Sequence, residues 1–229
     1  MKKSVLRTAF THTLPVMTGY LVLGIGFGIL LQEKGYGILW SLAMSVFIYA
    51  GSMQYLAVSL LTGGVSLVTA ALTTLMVNAR HLFYGISMLE QYRGAGKEKP
   101  YLIFALTDET YSLVSSRPPQ GVSYHRYCLL VSVLDHCYWI AGSVLGSLLG
   151  NILPISFEGV DFALTALFVT IFVEQWLSTK DHRPALIGVM STFVCLLLFG
   201  SQIFLIPSMA LIAGLLLLLP RTGKEASHE

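Results

Sequence analysis

Long apolar runs, separated by short connectors rich in helix breakers, are the feature of this chain that most limits its fold. The hydrocarbon core of a bilayer is ~30 Å thick and takes about 20 helical residues to cross. Eight segments approach that length: 14–31, 38–61, 65–89, 101–116, 127–149, 159–177, 184–200 and 203–219. The fourth is short and polar. The runs are continuous rather than alternating and outlast a spanning strand, so helices are expected and a barrel is not. Gly35-Tyr36-Gly37, Thr62-Gly63-Gly64, Gly94-Ala95-Gly96, Arg117-Pro118-Pro119 and Pro220 punctuate them. The expected architecture is an all-α polytopic membrane bundle of seven to eight segments, a single transmembrane domain over 1–229.

Composition agrees. Charged residues make up 11% of the chain, less than half the ~25% usual in soluble domains. Fourteen Lys and Arg with twelve Asp and Glu cannot coat a soluble surface around a chain that is 55% hydrophobic. A soluble enzyme, a nucleic-acid binder and a disordered chain are excluded. The three cysteines sit inside apolar runs and read as small buried hydrophobes, not as a disulfide framework. Met1 to Arg7 carries three positive charges ahead of an apolar stretch, but no small-x-small cleavage site follows. The stretch reads as the first retained span.

Lys and Arg near span ends favour the cytoplasmic side. Lys2, Lys3, Arg7, Arg117, Arg126, Lys180, Arg183, Arg221 and Lys224 all fit eight spans with both termini inside. Arg93, Lys97 and Lys99 resist, since their connector would then face outward. If 101–116 dips in and returns, seven spans remain and the N-terminus moves outside. Eight is preferred and seven stays open.

A faint repeat of two halves is visible. Tyr20, Gly24 and Gly28 match Tyr138, Gly142 and Gly146, and Met53-Gln54-Tyr55-Leu56 resembles Glu174-Gln175-Trp176-Leu177. Repeated halves are common among transporters. The glycine stripes, extended by Gly150, read first as close helix packing inside a bundle and second as a subunit contact.

Ionisable residues inside the spans carry more information: Arg80 and His81, Asp108 and Glu109, Asp135 and His136, and Glu174. Each charge at mid-bilayer costs about 2.5–3.5 kcal/mol on insertion scales. Four or five unpaired ones would cost on the order of 10–15 kcal/mol, comparable to a whole domain's stability. They must pair, line water or be neutral. All but Glu174, which is expected at the interface, fall near the midpoints of their spans. A shared midplane site explains this better than side chains snorkelling to the interfaces.

Gly51-Ser52 interrupts the second span near its middle. A helix broken there frees backbone N–H groups in mid-membrane, suited to a substrate carboxylate, with Gln54 one turn on. The plainer reading is a close helix contact at Gly51. Asn78 and His81 share one helix face, and Arg80 and Tyr84 the neighbouring one. Asp108 lines up with Tyr111 and Ser112, and Asp135 with Tyr138 and Trp139. An arginine and a carboxylate at one depth can hold both ends of a zwitterion. Gly51, Ser52, Gln54, Asn78, Arg80, His81 and Tyr84 are therefore the candidate substrate-binding residues. Asp108, Glu109 and Asp135 are candidates for carrying a proton or holding an ammonium group.

At Phe47-Ile48-Tyr49-Ala50-Gly51-Ser52-Met53-Gln54 the sequence resembles the AzlC family. Asn78-Ala79-Arg80-His81-Leu82-Phe83-Tyr84-Gly85 resembles its D/N-x-R-H-x-x-Y-G signature, and Leu106-Thr107-Asp108-Glu109 its L-T-D-E signature. Length and span spacing extend the resemblance over nearly the whole chain. It implies the large subunit of an exporter of leucine, isoleucine, valine and similar apolar amino acids in the bacterial plasma membrane. It also implies a small, separately encoded multi-span partner, AzlD. No G-x-S-G, G-x-G-D or H-E-x-x-H set is present, so an intramembrane enzyme is not expected, nor a cofactor or metal. A channel, or a structural subunit without its own substrate site, stays open as the alternative.

Overall fold

The computed structural model describes residues 5–116, 118, 121–152 and 161–218. Those residues form eleven α-helices: α1 (Val5–Glu33), α2 (Ile38–Phe47), α3 (Gly51–Thr62), α4 (Leu67–Val77), α5 (Ala79–Met88), α6 (Lys99–Phe104), α7 (Asp108–Val114), α8 (Tyr124–Ile152), α9 (Asp161–Ser178), α10 (Arg183–Ile203) and α11 (Leu205–Leu218). They fall into two compact units, 1–167 and 168–229, with α9 running across the boundary. Among the described residues, three helical stretches are long and apolar enough to cross a membrane: Val5–Glu33, Tyr124–Ile152 and Arg183–Gly200.

The frame of the first unit is α1 against α8. Each has 29 residues, about 44 Å at 1.5 Å per residue. The glycine stripes make the contact. A Cβ on Gly28 would collide with the Ser143 carbonyl oxygen, and one on Gly146 with the Ile25 carbonyl oxygen. On Gly24 it would lie 2.9 Å from the Ser143 nitrogen. Only backbones without side chains can approach this closely. The two stripes that match each other in sequence are thus each other's packing partners. The α1 helix also starts nine residues earlier than the sequence implies. Its extra turns reach α8, where His12 Nδ1 lies 2.8 Å from the Tyr127 hydroxyl.

The second, third and fourth apolar segments are each broken in the middle. The expected distortion in the second lies at Ile48-Tyr49-Ala50, just before Gly51. Tyr49 is left-handed (φ 44°), and Ala50 is extended at the start of α3. A left-handed tyrosine costs on the order of 1–3 kcal/mol and needs support. Its ring stacks on His136 at 4.1 Å and tilts against Phe104. The third segment, expected to be continuous, breaks at Asn78, which ends α4 and begins α5 (φ −90°, ψ 2°). Asparagine tolerates such sparsely allowed backbone conformations, and its side chain competes with helical bonding. The fourth breaks at 105–107. There the Thr107 hydroxyl accepts the Thr110 N–H at 3.2 Å and starts α7, whose first turn carries Asp108 and Glu109. That is an N-cap with acids at the positive end of the helix.

In the second unit, α10 is kinked at Gly200 (φ 71°), three residues before its end and ahead of α11. This joint lies close to the expected boundary at 200–203. The connector before α10 is tied by Arg183 to Asp181 through a 2.8 Å ion pair. Hydrogen bonds from Arg183 hold the exposed Asp181 carboxyl down at about 2. Lys2, Lys3, Arg117, Arg221, Lys224, Pro220 and most of the connector 151–158 lie outside the described residues, as do the side chains of Glu174 and Gln175.

Candidate functional site

The starts of α3, α5 and α7 converge, each supplying a residue from its first turn. Arg80 of α5 is the hub. Its Nη1 lies 3.0 Å from Asp108 Oδ2, and its Nη2 donates to Ser52 Oγ at 2.8 Å. Tyr84, one turn further along α5, donates its hydroxyl to Asp108 Oδ1 at 2.6 Å. The planar guanidinium thus spans two half-helices with two separate nitrogens. Ser52 is buried, while the Arg80 and Asp108 side chains are 29% and 32% exposed, so the ion pair has an open side. Arg80 Nε and Asn78 Oδ1 are buried without a protein partner. Such unpartnered buried atoms are few in native structures.

Five of the sequence candidates, Gly51, Ser52, Arg80, Tyr84 and Asp108, meet here or flank the meeting point. Asn78 sits at the break just before Arg80. His81 points to the neighbouring face of α5, its ring edge-on to Tyr84 at 5.9 Å. Gln54 is elsewhere. It is fully buried, accepts from Trp139 Nε1 at 2.9 Å and reaches Ser45 Oγ at 3.3 Å. There it ties α3 to α8. Gly51 has a steric role as well, since a Cβ on it would lie 3.0 Å from the Trp139 ring. Gly51→Leu should therefore abolish activity in reconstituted vesicles while membrane insertion, followed by fractionation, is kept. Wild-type activity in that variant would show that the approach to Trp139 is dispensable.

Glu109 and Asp135 belong to a second polar group beside the first. Glu109 Oε2 accepts the Tyr20 hydroxyl at 2.7 Å. Asp135, fully buried in α8, accepts the Thr110 hydroxyl at 2.9 Å on Oδ2, and its Oδ1 has no protein partner. His136 turns the other way, with Nε2 3.0 Å from the Ser45 carbonyl oxygen and Nδ1 3.2 Å from the Tyr101 hydroxyl. Tyr20, Tyr49, Thr107, Thr110 and Tyr101 are the residues that sequence reasoning missed. Thr107 could have been found from its place before two acids, an N-cap pattern. Tyr20 was visible only as part of a glycine stripe. Among the described residues, no three His, Cys, Asp or Glu side chains are grouped as a metal site.

Two unbroken helices and three broken ones around a buried polar centre define a multi-pass membrane protein. The AzlC protein family matches residues 15–153, and the chain belongs to that family. The matched region holds every candidate residue described above. The chain is 43% identical to the "Branched-chain amino acid transport protein AzlC" of Bacillus subtilis over 221 residues, 96% of this chain and 87% of that protein. It is 40% identical to a membrane protein of Helicobacter pylori over 93% of each chain. With the "Inner membrane protein YgaZ" of Escherichia coli it shares 27% identity over 89% of this chain and 83% of that protein. No solved structure matches.

Proposed function

We propose that this chain is the substrate-carrying subunit of a secondary transporter that exports branched-chain or similar apolar amino acids in a proton-coupled cycle. The observation that carries the proposal is the meeting of three half-helix starts at Arg80. A zwitterion needs a cation for its carboxylate and an anion for its ammonium group within a few ångströms. Arg80 and Asp108 offer both on an open side, and substrate competes with their mutual bond. The N–H groups freed at the start of α3 add donors for the carboxylate. Glu109 and Asp135 supply carboxyls able to carry a proton. The name of the Bacillus subtilis relative supports the substrate class. An AzlD-like small membrane protein is the proposed partner.

The test is reconstitution with and without that small partner, measuring counterflow of labelled leucine. Saturable counterflow is expected. Unitary currents without saturation would make the chain a channel. Silence of this chain in both arms would leave it a structural subunit.

A further inference from the structure

Four oxygen contacts join the two carboxyls outside the ion pair. Glu109 Oε2 lies 2.7 Å from the Tyr20 hydroxyl, which lies 2.6 Å from Thr107 Oγ1. Thr107 Oγ1 lies 3.0 Å from Thr110 Oγ1, which lies 2.9 Å from Asp135 Oδ2. All four distances are hydrogen-bond distances for oxygen pairs. The three hydroxyls bring three hydrogens. Four bonds need four; if all four form together, the fourth hydrogen sits on one of the two carboxyls.

Two arrangements satisfy the count equally. In one, Glu109 is protonated and every bond points from Glu109 towards Asp135. In the other, Asp135 is protonated and every bond points back. We propose that Tyr20, Thr107 and Thr110 form a hydroxyl relay through which one proton passes between Glu109 and Asp135. At each step a hydroxyl oxygen takes a proton on a lone pair and releases the one it held. One O–H bond forms as another breaks, and no electrons leave any atom. Tyr20, Thr107, Thr110 and Asp135 are all more than nine-tenths buried, which keeps water from short-circuiting the chain.

The groups around the two ends differ. Asp135 is faced by Tyr49 from the α2–α3 break, Tyr101 of α6, Glu109 of α7 and Tyr127 of α8. No cation is among them. Glu109 is faced by Tyr20 of α1, Tyr49 from the α2–α3 break, Arg80 and Tyr84 of α5, Asp108 of its own helix and Asp135 of α8. The Glu109 end therefore adjoins the proposed substrate site and senses whether Arg80 is paired with Asp108 or with substrate. The relay thereby links occupancy to the proton's position. This rests on the proton-coupled reading above.

The test uses the assembled transporter in vesicles. Tyr20→Phe keeps the ring, which packs edge-on to Trp139 at 5.5 Å, and deletes the hydroxyl. Leucine transport driven by a pH gradient should fall by roughly a hundredfold or more, the scale on which one proton-transfer group acts. Exchange of labelled for unlabelled leucine should continue. Thr107→Ser should restore what Thr107→Val loses. Infrared spectroscopy supplies a readout that needs no substrate: one protonated-carboxyl band at neutral pH, perturbed by both Glu109→Gln and Asp135→Asn. Wild-type pH-driven rates in Tyr20→Phe would overturn the relay. So would an absent band, or one sensitive to only one of the two substitutions. Unmutated protein that exchanges leucine but ignores pH would instead remove the proton-coupled reading, and the infrared result would still decide the relay.

Discussion

Arg80→Gln is expected to weaken leucine counterflow by about ten- to a hundredfold. The estimate follows from one charge-assisted hydrogen bond, about 1.5–3 kcal/mol, converted at about 1.4 kcal/mol per decade. Folding should suffer less, because the Asp108 side chain is about a third exposed and keeps its bond from Tyr84. Arg80→Lys should rescue poorly. An ammonium is a single point and cannot reproduce two nitrogens placed on Ser52 and Asp108. The swap of Arg80→Asp with Asp108→Arg separates the two roles of the pair. It should restore thermal stability but not leucine binding, since the cation would have left the start of α5. Full transport in the swap would show that the pair only balances charge, and the substrate assignment would fall.

Gly146→Val is expected to be the most damaging substitution for folding. The added side chain would enter space held by the Ile25 carbonyl, which is backbone and cannot rotate away. The cost should exceed the about 1–3 kcal/mol usual for an overpacked core. Loss of monodisperse protein on size exclusion and a large drop in Tm are the readouts. Gly188→Ala is the control. A Cβ there meets nothing within 4 Å, and alanine gains up to about 1 kcal/mol of helix propensity. A wild-type Tm in Gly146→Val would mean that α1 and α8 can separate at no cost.

The all-helical membrane character was legible because bilayer thickness sets a length that a run of apolar residues either meets or misses. The glycine stripes were legible as close contacts for a similar reason: four-residue spacing places them on one face. The break in the second segment announced itself through Gly51-Ser52. The break at Asn78 did not, because one asparagine in an apolar run looks the same in a bent helix and a straight one. The pairing of Arg80 with Asp108 was legible because charge at mid-span needs a partner. Gln54 faces Trp139 instead of Arg80, because sequence gives the turn a residue occupies but not the direction it faces. The hydroxyls of Tyr20 and Thr110 carried no signal of their own, since hydroxyls acquire meaning only when distant helices align them.

The close seam between α1 and α8 also governs the order in which this chain can mature. Gly24 and its counterpart Gly142 are 118 residues apart (142 − 24). At a synthesis rate of about 5–20 residues per second, α1 waits roughly 6–24 s in the bilayer before its partner is made. Throughout that interval the broken helices, with Arg80 and Asp108 among them, have no finished frame to dock on. A nascent chain halted before residue 142 would therefore hold its Arg80–Asp108 pair in lipid without the α1–α8 frame around it. It would be expected to need shelter at the insertion machinery until α8 arrives.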